Sequence, residues 1–461
     1  MNEELAKKAE ILKNLASAEA YGGDYSAALK HGQEALKLYE KLGDLPNLVL
    51  GHTTLAGIFA EGPLLLQDQA KALKHAEAAR LLAEPGPDTP EKAFFYTLIA
   101  HQYLHTDEPA TSVTWARKAK DLAEKLGTFV GAPLGSAQAR MGELDKGMEY
   151  QEKDWESYVQ AGNPLGMMLC GHQIILTRTL ARDIPLALKW EKIVAPEVAK
   201  IGTASPNAVN RSLLLTQALS GEIPKAMETC QIAQSFDVNA AFSCWLEDSA
   251  SLGFLHLRAG EWGRARQVLE EALSIHDDRH SSVAVKALCL VLGSLNLEEG
   301  NCPKAEELLL KSLEICRHGG NVLFELWVLP VLAELYLKMG QPEKAAEYVD
   351  RGFELMKPDQ NWYGLPGPIY MARGMLATAR KDWDTGTKSF DRAIQINRQY
   401  RLPWDEARTL YERGLMYLAR GGQGDRDKAH EDLDEALAVF QKCSAKKDVE
   451  KVLRKKEMLK A

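Results

Sequence analysis

The sequence predicts an all-α solenoid of about eleven antiparallel helix pairs, closed by one further helix, and three observations carry that expectation. One cassette recurs: Gly221–Glu222–Ile223–Pro224–Lys225–Ala226 returns in outline from Gly260 to Ala265, Gly300 to Ala305 and Gly340 to Ala345. Its glycines stand 39, 40 and 40 residues apart, and a fixed period of this size marks one structural unit stacked many times. Each cassette also separates two stretches whose apolar residues follow helical spacing, so the unit is a helix–turn–helix pair.

The small residue that ends the cassette serves as a ruler along the chain. It is placed at Ala28, Ala72, Ala110, Gly147, Ala187, Ala226, Ala265, Ala305, Ala345, Gly386 and Ala429. A glycine ending the first helix takes the left-handed conformation that helix termination favours. Pro109, Pro185, Pro224, Pro303 and Pro342 fall at the start of the second helix, where a missing N–H costs nothing. Seven residues past the marker a second small residue recurs, as at Ala35, Ala79, Ala272, Ser312, Gly352, Ala393 and Ala436. Large apolar residues interleave with it, as in Leu269/Leu273, Leu309/Leu313 and Phe390/Ile394. First helices carry Gly253, Gly293, Gly374 and Gly414, and glycine recurring inside helices signals close contact with the partner helix.

Units two to five follow this frame least closely. Gly62–Asp68 reads as an insertion in a turn, and His105 and Arg182 occupy turn positions that elsewhere hold glycine. Pro133, Pro196 and Pro330 fall within predicted helices, as kinks or as ends. The array is expected over residues 1–444 and a C-terminal capping helix over 445–461. Seven Lys/Arg against three Asp/Glu between Lys446 and Lys460 read as a solvated face, with Val449, Val452 and Leu453 packing on the final pair.

Bulk properties bound the function classes. A hydrophobic share of 46% and a charged share of 26% describe a folded chain. A net charge of -8 argues against nucleic acid as the partner. The 7 cysteines are scattered without a Cys-x-x-Cys, so reduced cytosolic thiols are the expectation. The first residues lack an apolar signal core, and no apolar run reaches membrane-spanning length, so a cytoplasmic protein with no membrane partner is expected.

The Gly–x4–Ala–x6–Ala frame, complete in Gly260, Ala265 and Ala272 after Leu252–Gly253, resembles the tetratricopeptide repeat (TPR), here at about 40 residues instead of 34. The resemblance covers essentially the whole chain and implies a right-handed superhelix whose first helices line a concave groove. Longer repeats of this type are similar to the arrays of the maltose-regulon activator class of bacterial STAND ATPases. The closing segment from Tyr400 resembles the C-terminal arrays of bacterial multidomain ATPases and adenylyl cyclases. In those relatives the array is a sensor or docking arm, so a neighbouring ATPase or cyclase domain is an implied partner. No phosphate-binding loop is present; Gly421–Lys428 lacks the order of one.

No catalytic arrangement, cofactor motif or metal-ligand spacing appears, and the chain reads as non-catalytic. Asp277–Asp278–Arg279–His280 lies at an expected loop, where Asp and His are ordinary turn residues. Glu270–Glu271 and Glu306–Glu307 read as solvated charges on second helices. Candidate binding residues come instead from the groove that the resemblance implies. Its slots, ten and six residues before the turn glycine, select Arg211 and Leu215, Ala250 and Phe254, Leu290 and Ser294, and Pro330 and Glu334. Where the glycine is missing or displaced, Phe95, His172, Met371 and Tyr411 fill the role, with Trp327 and Arg408 one turn earlier. Aromatic and arginine side chains are the types expected at binding hot spots. The expected function is a scaffold or sensor array in bacterial signalling, holding a peptide or protein domain in this groove. The alternative is a sensor of a sugar-like small molecule. Self-association through a terminal repeat is compatible with either.

Overall fold

A computed structural model describes residues 2–22, 24–61, 68–131, 133–199, 206–235, 245–277 and 282–460. Among the described residues every regular element is a helix. Units one to four are α1 (Asn2–Gly22) with α2 (Tyr25–Leu42), α3 (Leu45–Glu61) with α4 (Gln69–Ala83), α5 (Pro90–His105) with α6 (Pro109–Lys125), and α7 (Leu134–Arg140) with α8 (Leu144–Gln160). Units five to eight are α9 (Pro164–Leu180) with α10 (Ile184–Ala199), α11 (Pro206–Leu219) with α12 (Ile223–Ser235), α13 (Trp245–Ala259) with α14 (Trp262–Asp277), and α15 (Ser282–Glu298) with α16 (Cys302–Gly319). The last three are α17 (Val322–Lys338) with α18 (Pro342–Leu355), α19 (Pro366–Ala379) with α20 (Trp383–Gln399), and α21 (Pro403–Arg420) with α22 (Asp425–Lys442). A final α23 spans Lys446–Lys460. The fold is an all-α helical-repeat solenoid.

Local chemistry sets the helix starts. Asp24, Asp68, Asn301 and Asp382 each accept a hydrogen bond from a first-turn amide, satisfying a donor the helix itself leaves open. The marker residue comes four positions after the cap, its amide bonded to the cap carbonyl, as in Ala28 on Asp24 and Ala305 on Asn301. It is small because the first helix passes over it: a Cβ on Gly147 would lie 2.5 Å from the Gly135 carbonyl oxygen. The first-helix glycines answer the large residue one turn past the marker. A Cβ on Gly253 would meet Leu269 at 2.4 Å, and one on Gly374 would meet Phe390 at 2.7 Å.

In unit three the expected register is off by two residues. Ala110 is exposed, and the buried marker is Ser112, whose Oγ donates to the Ala100 carbonyl at 2.7 Å. The turn position is therefore Asp107 and not His105, and Asp107 takes the left-handed conformation at φ 62. Arg182 does so at φ 59, so a non-glycine side chain keeps the turn in units three and five. Pro133 caps α7 from outside, whereas Pro196 and Pro330 lie inside α10 and α17. Residues 62–67 of the expected insertion lie outside the described residues, as do residues 278–281, which include Asp278 and His280. Glu270, Glu271 and Glu307 are solvated, but Glu306 accepts from the Tyr336 hydroxyl at 2.6 Å and links two units. On α23, Val452 is buried and Leu453 is exposed, because Leu453 faces away from the last pair.

The solenoid closes on itself. The five turns of units three to seven dock, in order, along a path that runs from the loop joining units eight and nine, past those joining nine to ten and ten to eleven, to the loop before α23 and the start of α23 itself. Asp107 accepts from Asn321 Nδ2 at 2.7 Å and pairs with Lys286 at 2.5 Å. Gly142 packs against Val322 and Trp362, and its carbonyl accepts from Gln360. The Ala181 carbonyl accepts from the Gly364 amide at 3.3 Å. Gly221 sits against Pro403 and Cys443, and Gly260 against Lys447.

Candidate functional site

Closure converts the concave side of units six to eleven into a bounded cavity of about 700 Å³. First helices α11, α13, α15, α17, α19 and α21 supply most of its wall, the turns of units four and five close one side, and α23 lies over another. The slots counted from the turn glycine supply much of this wall. Leu215, Ala250, Phe254, Leu290, Ser294, Pro330 and Glu334 all line the cavity, joined by Met371, Trp327, Arg408 and Tyr411. Successive turns of a first helix present slots six and ten to the same side, so one register serves successive units.

Three candidates fall elsewhere. Phe95 is buried against Val49 and Ala79; it inherits the two-residue register error of unit three and faces the core between units two and three. His172 is buried in α9 without lining the cavity, and unit five contributes Leu176, the other slot of that helix. The Arg211 side chain lies outside the described residues.

Charge distinguishes the cavity from the chain that encloses it. Ten Lys/Arg and five Asp/Glu line it, although the whole sequence carries a net charge of -8. Two ionic clusters line the cavity. In the first, Arg408 pairs with Glu334 and lies 3.7 Å from Glu298. Lys338 reaches Glu334 at 3.7 Å, and Lys451 reaches Glu298 at 4.0 Å. Burial pushes the Glu334 carboxyl up, but Arg408, Lys338 and Lys451 hold it, in balance, below its ordinary value. Burial alone dominates at nearby Glu412, which is raised.

In the second cluster Asp405 Oδ1 lies 3.1 Å from Arg182 and 3.6 Å from Arg258. The guanidinium of Arg258 lies over the rings of Trp404 and Phe254, and that of Arg182 over Trp327 at 4.3 Å from its centroid. Burial draws Arg258 down to about 10, against the pull of Asp405. Trp404 Nε1 donates to Asp448 Oδ2 at 2.9 Å, tying α21 to α23, and Trp327 Nε1 donates to the Leu180 carbonyl at 2.8 Å, tying α17 to α9. Cation–π contacts and indole hydrogen bonds thus hold the aromatic wall rigid.

Sequence reasoning missed α23. Lys447, Lys451, Arg454, Lys455 and Met458 line the cavity, where a merely solvated cap was expected. The signal was present as the four-residue spacing of 447, 451 and 455, which puts three lysines on one helix face. Arg182 and Arg258 gave no such signal, because their role depends on Asp405 from a distant unit. Among the described residues no group of three or more His, Cys, Asp or Glu is arranged to hold a metal ion. No described helix is long and apolar enough to cross a membrane.

Two tetratricopeptide-repeat family models match, over residues 9–42 and 282–357. These two stretches are tetratricopeptide repeats. The matched stretches are most of α1 with α2, and units eight and nine, where cap position, marker and second small residue all keep their spacing. No curated protein matches this chain in sequence. Among solved structures it is similar to phAimR with its ligand, at 12% identity and a TM-score of 0.46, covering 79% of this chain and 92% of that one. It is also similar to a monomeric IFIT1 mutant with Gppp-AAAA, at 17% identity and a TM-score of 0.43, covering 84% and 90%. Yeast Tom70 is similar at 13% identity and a TM-score of 0.35, covering 98% and 96%. The ligands named for those proteins are theirs.

Proposed function

We propose that this chain is a non-catalytic binding scaffold that holds a short peptide segment of a partner protein in its interior cavity. The observation that supports this reading is the convergence of Phe254, Trp327, Glu334, Met371, Arg408 and Tyr411 on one bounded space. Buried aromatics and arginines in a desolvated pocket are the residues that carry binding energy at protein interfaces. The cavity is too small for a folded domain, so the partner enters as a segment. Entry is along α23, whose Met458 is 74% exposed while lining the cavity.

A selection of displayed random peptides against the intact chain tests the reading. Selected peptides should lose binding to Ser294→Trp, which fills the cavity from a half-buried wall position. Equal binding to a folded Ser294→Trp would place the partner on another surface.

One observation favours a second reading. About 700 Å³ falls within the range of roughly 300–1,000 Å³ typical of small-molecule pockets, which is the alternative of a metabolite sensor. The cationic surplus fits an anionic metabolite better than a neutral sugar. Saturable heat from an anionic metabolite, with no peptide selected, would favour it. A bacterial signalling context and coupling to a neighbouring ATPase or cyclase domain are proposed from the family resemblance alone, and a cytoplasmic location from the scattered cysteines and the charged first residues. Self-association through α1 is proposed from the exposed Ile11 and Leu15 and is read by sedimentation.

A further inference from the structure

We propose that Arg258 and Arg182 form a subsite, inside the cavity, for an anionic group of the ligand, a carboxylate or a phosphate, with Asp405 accepting from a donor beside it. This names the chemistry of the ligand and rests on the cavity being the binding site.

Arg182 and Arg258 share one carboxylate oxygen, Asp405 Oδ1, at 3.1 and 3.6 Å, so two cations converge on one anion, while the next carboxylate to Arg258, Asp448, is taken up by the Trp404 indole. The side chains of Arg182, Arg258 and Asp405 are only 7%, 8% and 11% exposed, which removes most of the water that would otherwise balance them. An uncompensated buried charge is strongly unfavourable, so a third partner of negative charge is what the cluster lacks.

Hydrogen bonding gives the same answer independently. Arg258 Nη1 is buried and has no hydrogen-bond partner, and Arg182 Nη1, although close to Asp405, is not aligned to donate to it. Both residues line the cavity. The rings of Trp404 and Phe254 lie against the guanidinium face of Arg258, so its open valence is on the in-plane edge, where a carboxylate or phosphate oxygen binds. Asp405 Oδ2 is also buried without a donor. An oxyanion alone would leave that oxygen unsatisfied; a ligand with an N–H or O–H next to its anionic group satisfies both. An amino acid or peptide end and a hydroxyl-bearing phosphate ester share that pattern.

Calorimetry at constant ionic strength tests the subsite with sodium acetate and sodium phosphate as probes. Wild-type chain should bind at least one of them saturably, and the preferred anion assigns the group. Affinity should fall by about tenfold or more in Arg258→Gln, the range for a lost hydrogen bond to a charged group, and less in Arg258→Lys, which keeps the charge but loses the fork. No saturable binding by either anion, or equal binding by Arg258→Gln, overturns the proposal. If circular dichroism shows that Arg258→Gln is unfolded, hydrogen exchange on the wild type decides: the probe should slow amides of α13 and α21, and unchanged exchange overturns the proposal. Peptides that need the cavity yet bind Arg258→Gln normally would defeat the subsite and leave the cavity reading standing. Arg258-dependent anion binding with no cavity-dependent peptide would do the reverse.

Discussion

Asp107→Asn is the perturbation that most clearly separates a closed superhelix from an open one. The Asp107 carboxylate is 1% exposed, lies 2.5 Å from Lys286 and 3.5 Å from Arg140, and accepts from Asn321. Lys286 is itself 3% exposed, so the substitution strands a buried ammonium. Breaking a buried pair from one side costs about 3–5 kcal/mol, most of it the unpaired charge. The pH dependence gives the sign. Burial holds the Lys286 ammonium below its ordinary 10.5 even in the wild type, so between its folded value and 10.5 the unfolded chain binds more protons and stability rises with pH. Without Asp107 the folded value falls further, and that window extends downward. The penalty of Asp107→Asn should therefore be largest near neutral pH and shrink as pH rises toward 10.5. In the wild type, burial pushes the Asp107 carboxyl up, but Lys286 and Arg140 hold it below its ordinary 3.8. That contribution is complete above 3.8 and is lost as pH falls through the lower folded value. Native-state hydrogen exchange in α7, α15 and α17 reads the effect locally, as suits a long repeat array that does not unfold in one step. A penalty under about 1 kcal/mol, the scale of an exposed pair, or one independent of pH, would refute the reasoning.

Two further pairs of substitutions test the packing. Ser112→Leu should destabilise by about 1–3 kcal/mol through overpacking, while Ala110→Leu, two residues earlier on an exposed face, should stay within about 0.5 kcal/mol in chemical denaturation. Gly300→Ala and Gly221→Ala both strain a left-handed turn, at a cost of about 1–2 kcal/mol. Only Gly221→Ala also drives a Cβ to within 2.6 Å of Cys443 Sγ and 2.8 Å of Pro403, so its melting temperature should fall further.

The repeat was legible because its physics is local. Cap, turn, marker and second small residue lie within one helix pair, and each leaves a residue type at a fixed offset. Unit three misled because Asp107 holds a left-handed turn without glycine, which moved the ruler onto His105 and carried Phe95 with it. The wall of the cavity was readable from unit six onward for the same reason of register. Its closure was not, since Asp107 with Lys286, Arg182 with Asp405 and Gly221 with Cys443 join residues more than 170 positions apart. Such contacts follow from the curvature accumulated over many units, to which each unit adds a small rotation. The same limit explains α23: its lysine stripe was visible, but what it faced depended on where the superhelix returned.

Closure is the claim on which cavity, subsite and proposed partner all depend, and Gly221→Cys tests it most directly. A Cβ at position 221 would lie 3.7 Å from the Cβ of Cys443, inside the 3.5–4.5 Å span of a disulfide. With oxidised glutathione, the Gly221→Cys chain should form a bond from 221 to 443, found by peptide mapping and absent from Gly221→Cys with Cys443→Ser. A folded Gly221→Cys chain whose two thiols both remain free would mean that the superhelix stays open.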